Sequence, residues 1–453
     1  MLRIANAAGF LGDWIDAPRR LVERARIDYL TLEYLAELTL SILARAREKN
    51  PQLGYAEDFL EVLRSLVASL KQQPQLKIVT NAGGMNPLAC AAAAARLLGE
   101  AGLGEATIGV VTGDDLLPRL DRLQAAGCEL KHFETKTPLV DRSLIVSANA
   151  YLGAQPITDA LAKGARIVIT GRVADASLTV GPAMHELGGN WDHWDRLAGF
   201  SVAGHLIECG AQVTGGYSVD WSQYNLADVG YPIAEIDSDG SCVITKAAGS
   251  GGVVSRRTVV EQLVYEIGDP QHYLTPDVDC DFTTVEVRDL GGDRVRVERA
   301  TGRRAPETLK VSLAYRDGYF ASGQLLVYGS DCVAKAKVAN DIVRQRLKFA
   351  GCEPQHWLME LLGAGDGCPQ TPASNSNPAE VMLRITTRDP RREVLERFTR
   401  EFAPLITSGP AGLAGYAAGR PSVRPVYAYW PTLVPKQLVP ATVEVRTAKE
   451  WPP

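Results

Sequence analysis

The sequence has no excess of positive charge: 48 Lys and Arg stand against 53 Asp and Glu, a formal net charge of −5. That balance lacks the footprint that nucleic acid or an anionic membrane surface selects, so neither is expected as a partner. Long apolar runs are missing too. Ile78–Ala95 and Phe402–Gly419 carry no charge, but Asn81, Gly83, Gly84, Asn86 and Pro87 interrupt the first, and Pro404, Pro410 and several glycines the second. Neither makes a membrane helix. The apolar segment between Arg3 and Asp13 is too short and too polar for a signal peptide, and a cytoplasmic location is expected. Eight cysteines never form a C-x-x-C pair, which excludes zinc-ribbon and thioredoxin-like motifs. With six histidines and no H-E-x-x-H, a His-rich metal centre is not expected; a carboxylate-bound Mg²⁺ stays open, and no residue is assigned to a metal. No G-x-G-x-x-G follows the first strand, and no P-loop or G-x-S-x-G occurs, which removes ordinary dinucleotide, P-loop and hydrolase-elbow readings.

What is present is a globular chain of 453 residues, 46% hydrophobic and 22% charged. The expected class is α/β: an N-terminal, mostly parallel sheet with crossover helices over residues 1–216, then an α+β half with antiparallel hairpins over residues 217–453 that completes an interdomain cleft. In the first part, apolar runs at Leu76–Thr80, Thr107–Val111 and Arg166–Thr170 alternate with helical patterns. Those patterns are the Phe59, Leu63, Leu66, Leu70 row, the Ala-rich Leu88–Leu98, Asp114–Gly127, and Ile157–Lys163 stopped by Gly164. In the second part, turns are predicted at Gly291-Gly292 and at Asp317-Gly318. Gly363–Asn377 reads as a loop or subdomain joint.

Loops at the carboxyl ends of parallel strands share one sheet edge and meet ligands there. Four such loops are predicted: Asn6 to Asp13 with Gly9, Thr80 to Pro87, Thr112 to Asp115, and Thr170 to Asp175. In the second, Gly83 and Gly84 beside Asn81 and Asn86 bring backbone amides to an anion at a helix start, or simply close a tight turn. In the fourth, after Thr170 and Gly171, Arg172 is a planar cation for a carboxylate or phosphate and Asp175 a base; an internal ion pair is the alternative. Arg172 as an anion clamp is expected to be replaceable without loss of folding. His205 and Glu208, three apart on a helix, suit proton transfer, and Cys209 is a nucleophile if its pKa is lowered; a core histidine and an inert thiol are the bland readings. Gln212 and Gly215 come after them. Glu33, at the end of an apolar run, needs a ligand or a core arginine.

The segments Tyr29–Ile42, Thr80–Pro87, Gly164–Pro182 with the core Thr170 to Ser177, His205–Gly216 and His272–Val278 together resemble the acyclic terpene utilization protein A family, over most of the chain. The resemblance implies a place among enzymes degrading citronellol-type terpenoids and branched acids. Some relatives carry an appended ferredoxin-like domain, expected to be missing here. The expected substrate is a carboxylic acid or acyl-CoA thioester, coenzyme A entering as part of the substrate. Asp175, Glu208, Glu33, His205 and Cys209 would carry the chemistry, and Asn6, Gly9, Asn81, Gly83, Gly84, Asn86, Thr170, Gly171, Arg172, Gln212 and Gly215 the binding. Hydration, isomerisation or lyase chemistry fits. The alternative is a non-catalytic subunit that binds the acyl-CoA or an acyl-CoA carboxylase. A homo-oligomer is expected.

Overall fold

Six short apolar runs become strands: β1 (Leu2–Asn6), β2 (Tyr29–Leu32), β3 (Lys77–Thr80), β4 (Thr107–Thr112), β5 (Ile145–Ala150) and β6 (Ile167–Thr170). The computed structural model describes residues 1–367, 378–415 and 419–452. Strands β1, β2, β3, β6 and β4 lie side by side in that order, all parallel. Every residue of β2 and β6 is buried, as expected where helices cover both faces of a parallel sheet. Antiparallel strands extend it, Pro232–Ile236 against β1 and Thr442–Thr447 against β4. Strand β5 instead pairs with the long strand Thr308–Tyr328.

The crossover helices obey their sequence patterns. Asp58–Gln72 buries Phe59, Leu63, Leu66 and Leu70. Pro87–Glu100 buries Cys90, Ala91, Ala94, Ala95 and Leu98, small side chains that let a helix lie close to a sheet. The same closeness recurs at Gly109 of β4, where an added Cβ would stand 2.8 Å from Ala165 Cβ and 3.1 Å from Ala160 Cβ. Asp114–Gly127 is less helical than expected, a 3-10 turn at Leu117–Arg119 leading into the short helix Leu120–Ala125.

The chain folds into two compact units, Met1–Ala314 with Tyr429–Pro453, and Tyr315–Ala428. The boundary expected after Gly216 lies inside the first unit. That unit also holds the hairpin around Gly291-Gly292, with Val287 opposite Val297. The second unit is an antiparallel sheet of His356–Leu362, Glu380–Asp389, the end of Thr308–Tyr328 and Leu413–Ala414. Helices Cys332–Phe349 and Arg392–Thr399 supply Ala336, Val343, Leu395 and Phe398 to its core. The turn expected at Asp317-Gly318 does not exist. Both residues lie within the continuous strand Thr308–Tyr328, and Gly318 takes a φ of +77°, which a glycine can adopt to kink a strand without reversing it. Of the stretch expected as a loop or joint, residues 368–377 lie outside the described residues.

Because the groups crowding Gly109 are Cβ atoms with no rotamer to escape into, Gly109→Ala should lower stability by about 2 kcal/mol. Urea unfolding, with the native spectrum unchanged, measures this.

Candidate functional site

Strands β2, β3 and β6 are neighbours, so the residues just beyond them emerge together on the carboxyl edge of the sheet. These are Glu33, Asn81 and Arg172, and they meet. Asn81 donates its side-chain amide to Glu33 Oε1 and accepts at Oδ1 from the Tyr34 amide at 2.8 Å. Arg172 donates Nη1 to the Leu35 carbonyl at 2.6 Å, stands 3.7 Å from Glu33, and pairs through Nη2 with Asp175 at 2.8 Å. Its guanidinium lies over the Tyr151 ring, 4.1 Å from the centroid. The Arg172 backbone amide donates to Asp114 at 2.8 Å, where burial pushes the carboxyl up to about 6 against the pull of that bond and of Asn149.

Exposure separates the roles. Only 3% of the Arg172 side chain and 5% of Glu33 are accessible, against 36% of Asp175. Burial, helped by the Asp175 charge, holds the Glu33 carboxyl well above its ordinary value. Asp175 is also raised by burial, although Arg172 opposes the shift. Next to them is a second pair that sequence reasoning missed. The Tyr151 hydroxyl and, at 3.1 Å, Lys310 Nζ both donate to Glu37. Burial opposes the Glu37 charge, but these two partners more than offset it and hold its pKa at about 2. Lys310 lies 4.7 Å from the Tyr151 centroid and 5.7 Å from that of Tyr429. Tyr151, Ala174, Leu274, Lys310, Tyr429 and Leu433 are part of the wall of a mostly apolar cavity of about 550 Å³.

His205 and Glu208 lie on the helix Trp194–Glu208, which is buried nearly all round. His205 Nε2 is 3.0 Å from the Gln262 carbonyl and Nδ1 is 2.9 Å from Glu208 Oε1. A carbonyl only accepts, so Nε2 carries hydrogen and the Nδ1 to Glu208 bond shares a single proton. Burial pushes Glu208 up to about 7 against the pull of His205, and the Asp175 charge adds to the rise. Burial works against charging His205, but the bond and charge of Glu208 outweigh it and raise its pKa.

A family model described as acyclic terpene utilisation family protein AtuA matches residues 2–445. The chain belongs to the AtuA family. No curated protein and no solved structure matches it. Each of the five segments that carry the AtuA resemblance contributes here: Tyr29–Ile42 supplies Glu33 and Glu37, Thr80–Pro87 supplies Asn81, and Gly164–Pro182 supplies Arg172 and Asp175. His205–Gly216 supplies the His205 and Glu208 pair, while His272–Val278 places Leu274 on the cavity and Tyr273 5.5 Å from the His205 ring. Among the described residues no helix is long and apolar enough to cross a membrane.

The other residues expected in the AtuA site make contacts within the fold. Asn6 donates to the carbonyls of Ile207 and Glu208 at 2.7 and 2.9 Å, and a Cβ at Gly9 would meet the Cys209–Gly210 peptide at 2.8 Å. A Cβ at Gly83 would stand 2.5 Å from the Thr170 carbonyl, and the Gly84 amide, expected to face an anion, donates to the Asn81 carbonyl at 3.1 Å. Asn86 caps the helix Pro87–Glu100. The Thr170 hydroxyl donates to the Gly171 carbonyl at 2.8 Å, and a Cβ at Gly171 would strike Asp114. Gln212 bonds through its backbone amide to the Cys209 carbonyl, and Gly215 ends that 3-10 turn with a φ of +93°. Burial and the Glu208 charge push the Cys209 thiol up, the opposite direction from the lowering that activates a thiol.

The buried position of Arg172 reverses the expectation that it can be replaced freely: Arg172→Ala removes the partner of Asp175, Glu33 and the Leu35 carbonyl together and should cost about 3 kcal/mol or more, measured by denaturant unfolding. Because Glu208 and His205 are both raised in the folded state, the stability they contribute is complete at low pH and is lost as pH rises through those values. The melting temperature of the native chain should therefore fall between about pH 5 and about pH 7.5, and Glu208→Gln should flatten that slope.

Proposed function

We propose that this chain is a cytoplasmic enzyme of acyclic-terpenoid or branched-acid breakdown that moves a proton next to the carbonyl of an acyl-CoA thioester or carboxylic acid. The observation that carries this is Asp175: in a cluster of buried charges it is a carboxylate that solvent reaches, and Ala174 beside it lines the apolar cavity. Arg172 orients the Asp175 carboxylate, and its raised pKa makes Asp175 a stronger base than an ordinary aspartate. An α C–H bond breaks, its proton goes to Asp175, and the electron pair moves onto the carbonyl oxygen, where the Lys310 ammonium stabilises the developing charge. Hydration of an unsaturated thioester, isomerisation and lyase reactions share this enolate. The shared proton of His205 and Glu208, with Glu208 near 7, is suited to restoring the protonation state between turnovers.

The test is incubation with citronelloyl-CoA in D₂O, and then mass spectrometry. Deuterium should enter at the α-carbon, and Asp175→Asn should slow the exchange by about 100-fold or more per folded molecule while its melt stays cooperative. Saturable binding with neither exchange nor product favours the non-catalytic binding subunit.

A further inference from the structure

We infer that this site accepts its acyl group as a neutral thioester and rejects the free carboxylate, with the chain in the apolar cavity and the carbonyl oxygen on Lys310. This rests on the acyl-substrate reading above and decides between the two forms it leaves open.

The ground is charge balance around the polar wall of the cavity. Two cations stand there, Arg172 and Lys310, beside two carboxylates that solvent reaches, Glu37 and Asp175, each with 36% of its side-chain surface open. Glu33, in direct reach of Arg172, has its carboxyl held well above the ordinary value by burial. The cations are therefore already matched. Arg172 cannot turn outward, since it is 3% exposed, bonded to the Leu35 carbonyl and covered by Tyr151. Lys310, 43% exposed, reaches the cavity, with Glu37 at 3.1 Å. Glu134 on the lining adds another carboxylate. An entering carboxylate at Lys310 would lie among Glu37, Asp175 and Glu134 and would compete with Glu37 for the ammonium, and like charges at close range repel.

A thioester carbonyl makes a smaller demand. It is neutral and accepts one hydrogen bond, and an ammonium has three donors, of which Glu37 engages one. The body of the cavity suits the chain. Phe133, Leu274, Pro276, Leu309, Pro431 and Leu433 line it, and its volume of about 550 Å³ falls within the ordinary range of small-molecule sites.

The experiment measures binding of citronelloyl-pantetheine, which carries the thioester without the nucleotide, and of sodium citronellate, by calorimetry on the whole chain. The thioester should bind at least about tenfold more tightly than the acid. Glu37→Gln, which keeps the shape and removes one negative charge, should gain about tenfold for citronellate while its melt stays cooperative. Leu274→Trp, at a position 63% exposed where folding tolerates a larger ring, should block the thioester. Equal affinity for acid and thioester, no gain in Glu37→Gln, no effect of Leu274→Trp, or no binding of the thioester would each overturn the inference. Tight, selective thioester binding without α-proton exchange leaves the inference standing and defeats the catalytic reading, whereas exchange accompanied by equal affinity for the acid does the reverse.

Discussion

A guanidinium buried at the edge of a parallel sheet is the constraint around which the first unit is arranged. Arg172 leaves β6 and joins the segment after β2 through Glu33 and the Leu35 carbonyl, its own loop through Asp175, and the end of β5 through the face of Tyr151. Its backbone amide adds the loop after β4 through Asp114. A charge taken out of water must be matched where it lies, so these loops are drawn together by the same requirement. A displacement of any one of them would leave part of the cation unmatched.

That constraint also creates the chemistry. More carboxylates gather near Arg172 and Lys310 than two cations can neutralise, and burial raises Glu33, Asp175 and Glu208 above their ordinary values. Burial holds the Glu33 carboxyl well above its ordinary value, Glu208 shares a proton with His205, and Glu37 is held low because Tyr151 and Lys310 both donate to it. Asp175 lies at the boundary, bonded to the buried arginine on one side and open on the other. The same cluster that makes the fold expensive to disturb therefore leaves a partly exposed carboxylate, raised above its ordinary value, one residue from the wall of an apolar cavity.

The strand-edge rule recovered part of this arrangement from sequence. Glu33, Asn81, Arg172 and Asp175 come after runs whose β-branched and apolar character marked them as buried strands, and parallel strands place the residues beyond their carboxyl ends on one edge. Glu37, Tyr151, Lys310 and Tyr429 were not found. Tyr151 comes directly after Ile145–Ala150, a strand whose Ser147 and Asn149 broke the apolar pattern although both are buried. Lys310 sits in a strand where a lone lysine resembles a solvent-facing residue. The Asp317-Gly318 pair had the composition of a hairpin turn, yet antiparallel pairing with Glu380–Asp389 carries the strand onward from Tyr319.

Sequence alone determined the alternation of strands and helices, the parallel character of the first sheet and the family, because periodicity, Ala-rich packing faces and ordered motifs are local properties of the chain. Tertiary structure alone decided which charges pair and which remain open. Arg172 was equally an anion clamp or an internal ion pair until the Leu35 carbonyl and the Tyr151 ring were placed against it, and Lys310 became part of the site only when β5 was laid beside its strand. Burial and the distance between groups far apart along the chain set the energy of a charge, and neither is written in the residues on either side of it.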